Sequence, residues 1–161
     1  MRLLTDVNDG RALAGIEDLY RQHSDRLWKA VFAYAQDRAI ADDAVAEAFT
    51  QALRRGDALR DPVAWIWRVA FRVAAGELKD RARRGDLADE GVDAEDAPLD
   101  LLRALRRLGP KERAAIVLHH YAGYSTREVA AMIGSTPGAV RVHLSVGRRR
   151  LRSYLDSEVA E

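Results

Sequence analysis

The chain has 161 residues, of which 48% are apolar, and this suits one ordinary domain or two small ones with packed cores. It contains no cysteine, which excludes disulfides, thiolate metal sites and cysteine nucleophiles and favours a reducing compartment. No apolar run approaches the roughly 20 residues that cross a bilayer, and residues 1–15 lack the apolar region of a signal peptide. We therefore expect a cytoplasmic protein without a membrane segment.

The net charge of +1 conceals an uneven distribution along the chain. Residues 1–84 carry 15 Lys and Arg against 13 Asp and Glu, residues 85–100 carry none against 7, and residues 101–161 carry 11 against 5. A basic C-terminal part joined by an acidic stretch to a mixed N-terminal part indicates separate segments rather than one globule. The acidic stretch therefore predicts a domain boundary.

Apolar periodicity predicts three helices in the first half. The first helix ends near Asp37, the second runs over about residues 40–53 with Gly56 as its stop, and the third begins at Pro62 and continues into a basic cluster near residue 84. Residues 1–15 are assigned to an N-terminal tail. The inward positions of the first helix are Ile16, Leu19, Tyr20, His23, Leu27, Val31 and Tyr34.

The second half begins with a predicted linker. Residues 85–97 offer almost nothing apolar to bury, which is typical of a flexible connection. Pro98 opens a short helix that ends at Gly109, and another helix follows over about residues 111–121. The predicted inward positions of these two helices are Leu101, Leu102, Leu105, Leu108, Ile116, Val117 and His120.

The stretch 125–155 predicts a helix-turn-helix. Ser125 and Glu128 have the spacing of a capping box, Gly134 ends the helix that they begin, and Thr136 caps a second helix with Pro137 in its first position. Helix, tight turn and helix in this order are typical of DNA-binding domains. The predicted fold class is all-α, with two small helical domains joined by a flexible acidic linker and a helix-turn-helix in the C-terminal one.

The last helix carries polar residues three to four positions apart, which places them on one surface. Such a helix can enter the major groove of DNA, with its first side chains at base edges and its arginines at phosphates. A solvated basic face without DNA is the alternative explanation. The residues predicted to contact DNA here are Arg141, Ser145, Arg148, Arg149 and Arg152.

Two ordered blocks of this sequence resemble the extracytoplasmic-function (ECF) sigma factors. The first block comprises residues 19–23, 41–49 and 64–70, and the second comprises residues 108–113, 124–130 and 138–141. The resemblance implies an RNA polymerase sigma factor with a region 2 domain over residues 16–84, the acidic linker over 85–97 and a region 4 domain over 98–161. It implies core RNA polymerase and promoter DNA as partners and, by family analogy, an anti-sigma protein.

The resemblance also implies a role for the acidic face of the second helix. In this family that face docks on core polymerase, and it maps onto Asp42, Asp43 and Glu47 of this chain. Without the resemblance, a solvated helix face whose Asp pair lies in the first turn, where carboxylates favour the helix dipole, is the simpler explanation. The chain departs from the family at Ala46, where Gln is common.

The loop over residues 56–63 and the helix after it resemble the family's element for the minus-ten promoter motif, which captures a flipped base. We expect Trp65 to pack in the core rather than stack on a base. The family usually has Asn at the position of Arg72 and often Asn or Asp near Gly76, so minus-ten recognition is expected to be unusual. The further residues predicted to contact DNA are Arg68, Arg72, Lys79, Arg81, Arg83, Arg84, Thr126 and Arg127.

The sequence predicts no catalytic site, metal site or cofactor. Neighbouring residues on a helix point about 100° apart, so His119 with His120, and Asp42 with Asp43, do not form a ligand pair or a carboxylate dyad. Two other classes of protein remain as alternatives. A helix-turn-helix regulator would bind DNA without entering polymerase, and a structural helical adaptor would show no salt-dependent DNA affinity.

Overall fold

A computed structural model describes the backbone of residues 2–85 and 99–160, and the side chains of residues 14–85 and 100–160. This part of the chain is helical, with a short 3₁₀ turn at Gly56–Ala58 and a π-helical segment at Val117–Tyr121. The helices are α1 (Arg2–Ala35), α2 (Arg38–Arg55), α3 (Pro62–Arg84), α4 (Leu99–Arg106), α5 (Pro110–Ile116), α6 (Thr126–Ile133) and α7 (Pro137–Val159).

Local capping explains where the helices of the first domain begin. The Asp37 carboxylate accepts from the Ile40 backbone N–H at 3.0 Å, and Asp61 caps α3 in the same way. Because the Asp37 cap starts α2 at Arg38, the pair at positions 42 and 43 lies in the second turn. The prediction that it occupies the first turn was wrong, since the first apolar residue of a helix need not be its first residue.

Helices α1, α2 and α3 pack around an apolar core. Leu27, Ile40 and Ile66 are almost completely buried in it. Tyr20, predicted to point inward, is instead 52% exposed, and its ring forms a T-shaped contact with that of Phe49, with centroids 5.0 Å apart. A stripe of 3.6-residue period thus identified the buried face but overestimated its width.

The second domain is built on a close contact between α5 and α7. A Cβ atom added to Gly147 would lie 3.0 Å from Cγ1 of Ile116, so the absence of a side chain at Gly147 lets the two helices approach. In α4, Leu102 and Leu105 are buried as predicted, whereas Leu101 is 39% exposed because it lies about 100° around the helix from Leu102.

The π-helical segment after α5 explains one wrong prediction. The Ala122 backbone N–H donates to the Val117 carbonyl oxygen at 3.1 Å, five residues back, which widens the turn. A periodicity of 3.6 residues does not hold in such a turn, and His120 is exposed rather than inward. Ile116 and Val117 are buried as predicted.

The two domains pack against each other, and their buried residues form one continuous cluster. Trp67 of α3 meets Tyr124, which precedes α6, with ring centroids 5.8 Å apart. Burial, with smaller contributions from Asp61 and Glu128 and against the opposing effect of Arg26, raises the pKa of Tyr124 to about 12, so its hydroxyl group stays neutral. Two helical domains are therefore present as predicted, but they form one packed unit rather than separate segments.

The predicted flexible linker, apart from Gly85, lies outside the described residues. Gly85 itself ends α3 in the left-handed conformation, with a φ of 72°. Within the described part of the chain, no helix is both long and apolar enough to span a membrane.

Two glycine substitutions test how closely α5 and α7 pack. Gly147→Ala should destabilise the protein by about 1 kcal/mol, because the new methyl group meets the buried Ile116 side chain at 3.0 and 3.3 Å. Gly76→Ala is the matched control inside α3, where nothing lies within 4 Å, and should stabilise by about 0.5–1 kcal/mol. Urea unfolding measures both, and equal stabilisation by the two would contradict the close contact.

Candidate nucleic-acid and protein interfaces

The bounds of the two helices in the helix-turn-helix are fixed by capping residues that can be recognised in the sequence. The Glu128 backbone N–H donates to the Ser125 hydroxyl at 3.1 Å, and the Ser125 N–H donates to the Glu128 carboxylate at 3.0 Å. Gly134 then ends α6 with a φ of 65°, and the Thr136 hydroxyl accepts from the Ala139 N–H at 3.1 Å. All three predicted signals are confirmed, and they fix the direction of α7 relative to α6.

The outward face of α7 carries the predicted polar row. Arg141, Ser145, Arg149 and Arg152 are exposed, and Arg148 is exposed while its Nε–H donates to the Leu144 carbonyl oxygen at 3.2 Å. These side chains follow one another along the helix on one side, so a single groove of DNA could meet them together.

Arg150 lies on a different side of α7. Its Nη1 donates to both carboxylate oxygens of Glu112 at 3.0 and 3.1 Å, and the Glu112 side chain is only 16% exposed. The same carboxylate accepts from the Gly109 N–H at 3.3 Å at the start of α5. Arg150 therefore joins α7 to α5 and is not part of the basic row.

The sequence reasoning missed Val142. This side chain is 59% exposed on the first turns of α7, directly beside Arg141. An apolar side chain at such a position can contact the methyl group of thymine in the major groove. Its signal in the sequence was its place at the outward register of α7, one residue after a predicted DNA contact.

Thr126 and Arg127 open α6. Thr126 is half-buried and Arg127 is exposed. In a helix-turn-helix the first of the two helices crosses the DNA backbone, and its N-terminal end can contact phosphate. Both residues therefore lie in the first turn of α6, directly after the N-cap residue of its capping box.

The predicted basic residues of α3 divide into three groups. Arg68, Arg72 and Lys79 line a cleft of about 1030 Å³ between the two domains, and Arg83 and Arg84 are exposed at the end of the helix. Arg81, also predicted to contact DNA, already has a partner in this structure. Its guanidinium forms an ion pair with Asp37, so it ties the end of α3 to the cap of α2.

The tryptophans near the loop 56–63 take different places. Trp67 is 3% exposed and stacks on Phe71, with centroids 6.3 Å apart. Trp65 is half-buried against the core, as predicted, and the Arg55 guanidinium lies 5.7 Å from its ring. Part of the Trp65 ring therefore remains exposed.

The acidic face of α2 carries Asp42 and Asp43 exposed and Glu47 half-buried. The Trp28 indole N–H donates to Oδ1 of Asp42 at 2.7 Å, and the Gln51 amide donates to Oε1 of Glu47 at 2.8 Å. Two of the three carboxylates are thus held in place by neighbours.

Glu77 of α3 extends this acidic face beyond α2. Burial raises the pKa of its carboxyl group, and Asp43, Asp37 and Asp80 raise it further while Arg81 lowers it. The three aspartates near Glu77 place further negative charge on this side of the first domain. Sequence reasoning did not single out Glu77, because nothing in its neighbourhood along the chain reveals the approach of α2.

The adjacent histidines do not form a ligand set. The His119 Nδ1 lies 2.7 Å from the Tyr124 carbonyl oxygen, and the ring centroids of His119 and His120 are 4.9 Å apart. Burial lowers the pKa of His120, and His119 and Arg148 lower it further. Within residues 2–85 and 99–160, no three His, Asp or Glu side chains come together in a metal-binding group.

Comparison with protein-family models gives two matches in the order of the two domains. Residues 19–86 match the sigma-70 region 2 family, and residues 99–151 match the sigma-70 region 4 family. The fold, the helix-turn-helix and these matches define a transcription initiation factor of the sigma-70 type. A regulator that lacks a region 2 domain is not favoured.

Proteins of similar sequence show which group of sigma-70-type factors this chain belongs to. The ECF sigma factor SigL of Mycobacterium tuberculosis is 30% identical over 85% of this chain and 86% of its own length. CarQ of Myxococcus xanthus is 29% identical over 86% and 88%, and SigE of Mycolicibacterium smegmatis is 29% identical over 96% and 67%. The chain belongs to the ECF RNA polymerase sigma factors, which direct promoter-specific initiation by binding core polymerase and promoter DNA.

Solved structures show the same fold. The sigma factor RpoE in its complex with the anti-sigma factor NepR from Bartonella quintana aligns with a TM-score of 0.77 at 20% identity, over 87% of this chain and 96% of that one. CnrH, in complex with the cytosolic domain of CnrY, aligns with a TM-score of 0.67 at 25% identity, over 94% and 96%.

Trp28→Phe tests whether the indole holds Asp42. The Phe ring can still stack on Phe32, whose centroid lies 5.1 Å from that of Trp28, but the N–H donor is lost. We expect a loss of about 0.5–1 kcal/mol of stability in urea unfolding. The same substitution in an Asp42→Ala background is the control. An equal loss in both backgrounds would mean that the hydrogen bond contributes nothing.

Proposed function

We propose that the two domains carry three binding surfaces, each with its own role in initiation. The α2 face binds core polymerase, α7 reads the upstream promoter element, and α3 contacts the downstream element. The observation that carries the proposal is the capped helix-turn-helix whose last helix exposes a row of basic side chains. This arrangement allows α7 to enter a major groove without any rearrangement within the domain.

The polymerase surface consists of Asp42, Asp43 and Glu47. Exposed carboxylates suit a basic partner surface, and the hydrogen bonds from Trp28 and Gln51 orient two of them in advance. Ala46 lies exposed among them and offers no hydrogen bond, so these carboxylates bear more of the recognition than in relatives with Gln at this position.

The upstream element is read by the first turns of α7. Arg141 and Val142 lie there, where base edges are usually reached, and Ser145 follows one turn later. Arg148, Arg149 and Arg152 lie further along the helix and neutralise phosphates, with Thr126 and Arg127 at the start of α6 contacting the backbone. Arg141 suits a guanine, and the exposed Val142 suits the methyl group of a thymine.

The downstream element is contacted by α3 and the loop before it. Arg68, Arg72 and Lys79 supply positive charge along α3, and Arg83 and Arg84 extend this charge to its end. The exposed part of the Trp65 ring, with Arg55 above it, suits an unstacked base. Arg72, where the family usually has Asn, favours a contact with the DNA backbone rather than with one particular base.

A regulatory protein partner is part of the proposal. Two of the similar solved structures are complexes with an anti-sigma factor or with the cytosolic domain of a partner protein. We propose that this chain too is held inactive by an anti-sigma protein, that it acts in the cytoplasm, and that it has no catalytic activity of its own.

Reconstitution with core polymerase tests the acidic surface. The wild-type protein should co-elute with core polymerase and direct initiation from genomic promoters. Asp43→Arg and, separately, Glu47→Arg should each weaken holoenzyme formation at least tenfold, because reversal of a charge at a protein contact can cost several kcal/mol. Asp18→Arg, at an exposed acid on α1, is the matched control and should bind normally.

Two results would contradict this part of the proposal. Normal holoenzyme formation by both α2 variants would exclude the surface, and failure of the wild-type protein to direct initiation would exclude the sigma function. Binding of upstream-element DNA by the α2 variants should stay at the wild-type level, which separates loss of docking from loss of folding.

Arginines in the first turns of α7 and arginines further along this helix should affect DNA binding differently when each is replaced by alanine. Arg141→Ala should lose about 1–3 kcal/mol of affinity and relax discrimination at one base pair. Arg149→Ala should weaken all sequences about equally and reduce the salt dependence by about one ion. Salt titrations on a selected promoter and on scrambled DNA measure both effects. Arg150→Ala is the control, since it should lower stability with little effect on the salt dependence.

If Arg141→Ala lowered the affinity for promoter and scrambled DNA by the same factor, Arg141 would be a phosphate contact and the proposed reading by α7 would be wrong.

A further inference from the structure

The cleft between the two domains has the size of a ligand site. Its volume is about 1030 Å³, which is at the upper end of the range for small-molecule pockets. Phe71 and Leu78 line it from α3, and Met132 and Ile133 line it from α6. Pockets of this kind are mostly apolar and hold a small number of polar groups that orient the ligand. The apolar lining therefore suits a ligand with an apolar body.

The polar groups of the cleft include three exposed cations of α3. Arg72 follows Arg68 by four residues and Lys79 follows it by eleven, so the three side chains lie within about 40° of one another on the helix. Among the described residues, no carboxylate forms an ion pair with any of them. One side of the cleft therefore offers positive charge that the chain itself does not neutralise.

Gly76 leaves space in the wall that α3 contributes. Glycine in the interior of a helix is less favourable than alanine, so its presence there calls for a reason. Close packing within the chain is not the reason, because a Cβ atom added to Gly76 would meet nothing within 4 Å. Gly76 lines the cleft, and the space in front of it is open. A larger side chain at this position would reduce the room for a ligand.

The charges around the cleft select the sign of the ligand. Glu112 is the one acidic side chain among the described residues that line it, and this carboxylate is already paired with Arg150. A cationic ligand would therefore find no free counter-charge. The planar guanidinium groups of Arg68 and Arg72 instead match anionic head groups, with which they form paired hydrogen bonds.

We propose that the cleft binds one small amphiphilic anion, with its head group on Arg68 and Arg72 and a single apolar chain along Leu78, Met132 and Ile133. The two arginines are one helical turn apart, so both can reach the same head group. Leu78 lies further along α3, where the lining is apolar, and a chain that extends from the head group in this direction loses contact with water. This inference goes beyond the proposed function. It also implies that an amphiphile and DNA cannot use the two arginines at the same time.

Isothermal titration calorimetry of the full chain with dodecanoate tests the site. Dodecanoate is used below the concentration at which it forms micelles, and we expect saturable binding of one molecule per chain. Acetate carries the head group without the chain, and dodecyltrimethylammonium carries the chain with a cationic head group. Both should bind at least tenfold more weakly, because the cleft offers apolar surface and positive charge together. Bound dodecanoate should also raise the Tm of the protein.

Two variants place the ligand in the cleft. Arg72→Ala should weaken dodecanoate binding about tenfold, because a hydrogen-bonded ion pair is lost. Arg54→Ala is its matched control, at an exposed arginine of α2 that does not line the cleft. Gly76→Leu should weaken binding at least tenfold by filling the open space, and Thr50→Leu, at an exposed position of α2, is the control for a new leucine. Circular dichroism checks that each variant keeps its helices.

Three results would overturn the inference. Absence of dodecanoate binding to the wild-type protein would exclude the ligand and leave a protein segment as the occupant of the cleft. Equal affinity for dodecyltrimethylammonium would mean that the arginines take no part. Unchanged affinity in both Arg72→Ala and Gly76→Leu would place the bound molecule elsewhere. None of these measurements involves DNA or polymerase, so the proposed function stands or fails separately in the reconstitution with core polymerase.

Discussion

The buried guanidinium of Arg113 is the constraint on which the arrangement of this molecule depends. A cation removed from water is costly unless its donors are satisfied, and here three carbonyl oxygens accept them. Arg106, the last residue of α4, and Leu108, in the turn after it, supply two at 3.5 and 3.2 Å, and Tyr34 supplies the third from α1. One side chain therefore fixes the α4–α5 turn and attaches this turn to the first domain.

The partners of each guanidinium group likewise separate arginines that hold helices together from arginines that are available to DNA. A guanidinium that pairs with a carboxylate of another helix would have to lose this link before contacting a phosphate. Arg81 with Asp37 and Arg150 with Glu112 are such pairs, and each joins two helices. The arginines that remain exposed on α7 leave their charge toward solvent, where counterion release can drive DNA binding. A basic sequence cluster is thus a mixture of two populations.

The packing of the two domains determines which charged side chains lie close together. Arg68, Arg72 and Lys79 bring positive charge into a cleft that is otherwise lined largely by apolar side chains. Among the described residues that line it, Glu112 is the one acidic side chain, and it is paired with Arg150. This positively charged side of α3 therefore faces another part of the same chain. The net charge of +1 is the sum of 26 basic and 25 acidic residues that lie in separate regions, so it does not mean that the chain has few charges.

The sequence by itself determined the helix boundaries that local chemistry sets: the Ser125–Glu128 capping box, the Gly134 turn and the Thr136 cap, and with them the helix-turn-helix. These signals act within a few residues, so reading them requires no knowledge of the fold. The tertiary structure alone decided which charges pair, as in Arg81, which turns inward to Asp37. It also decided that the two domains pack against each other. The hydrogen bonds between them join residues that are 79 or 95 positions apart in the chain, and such distant contacts leave no periodic pattern in the sequence.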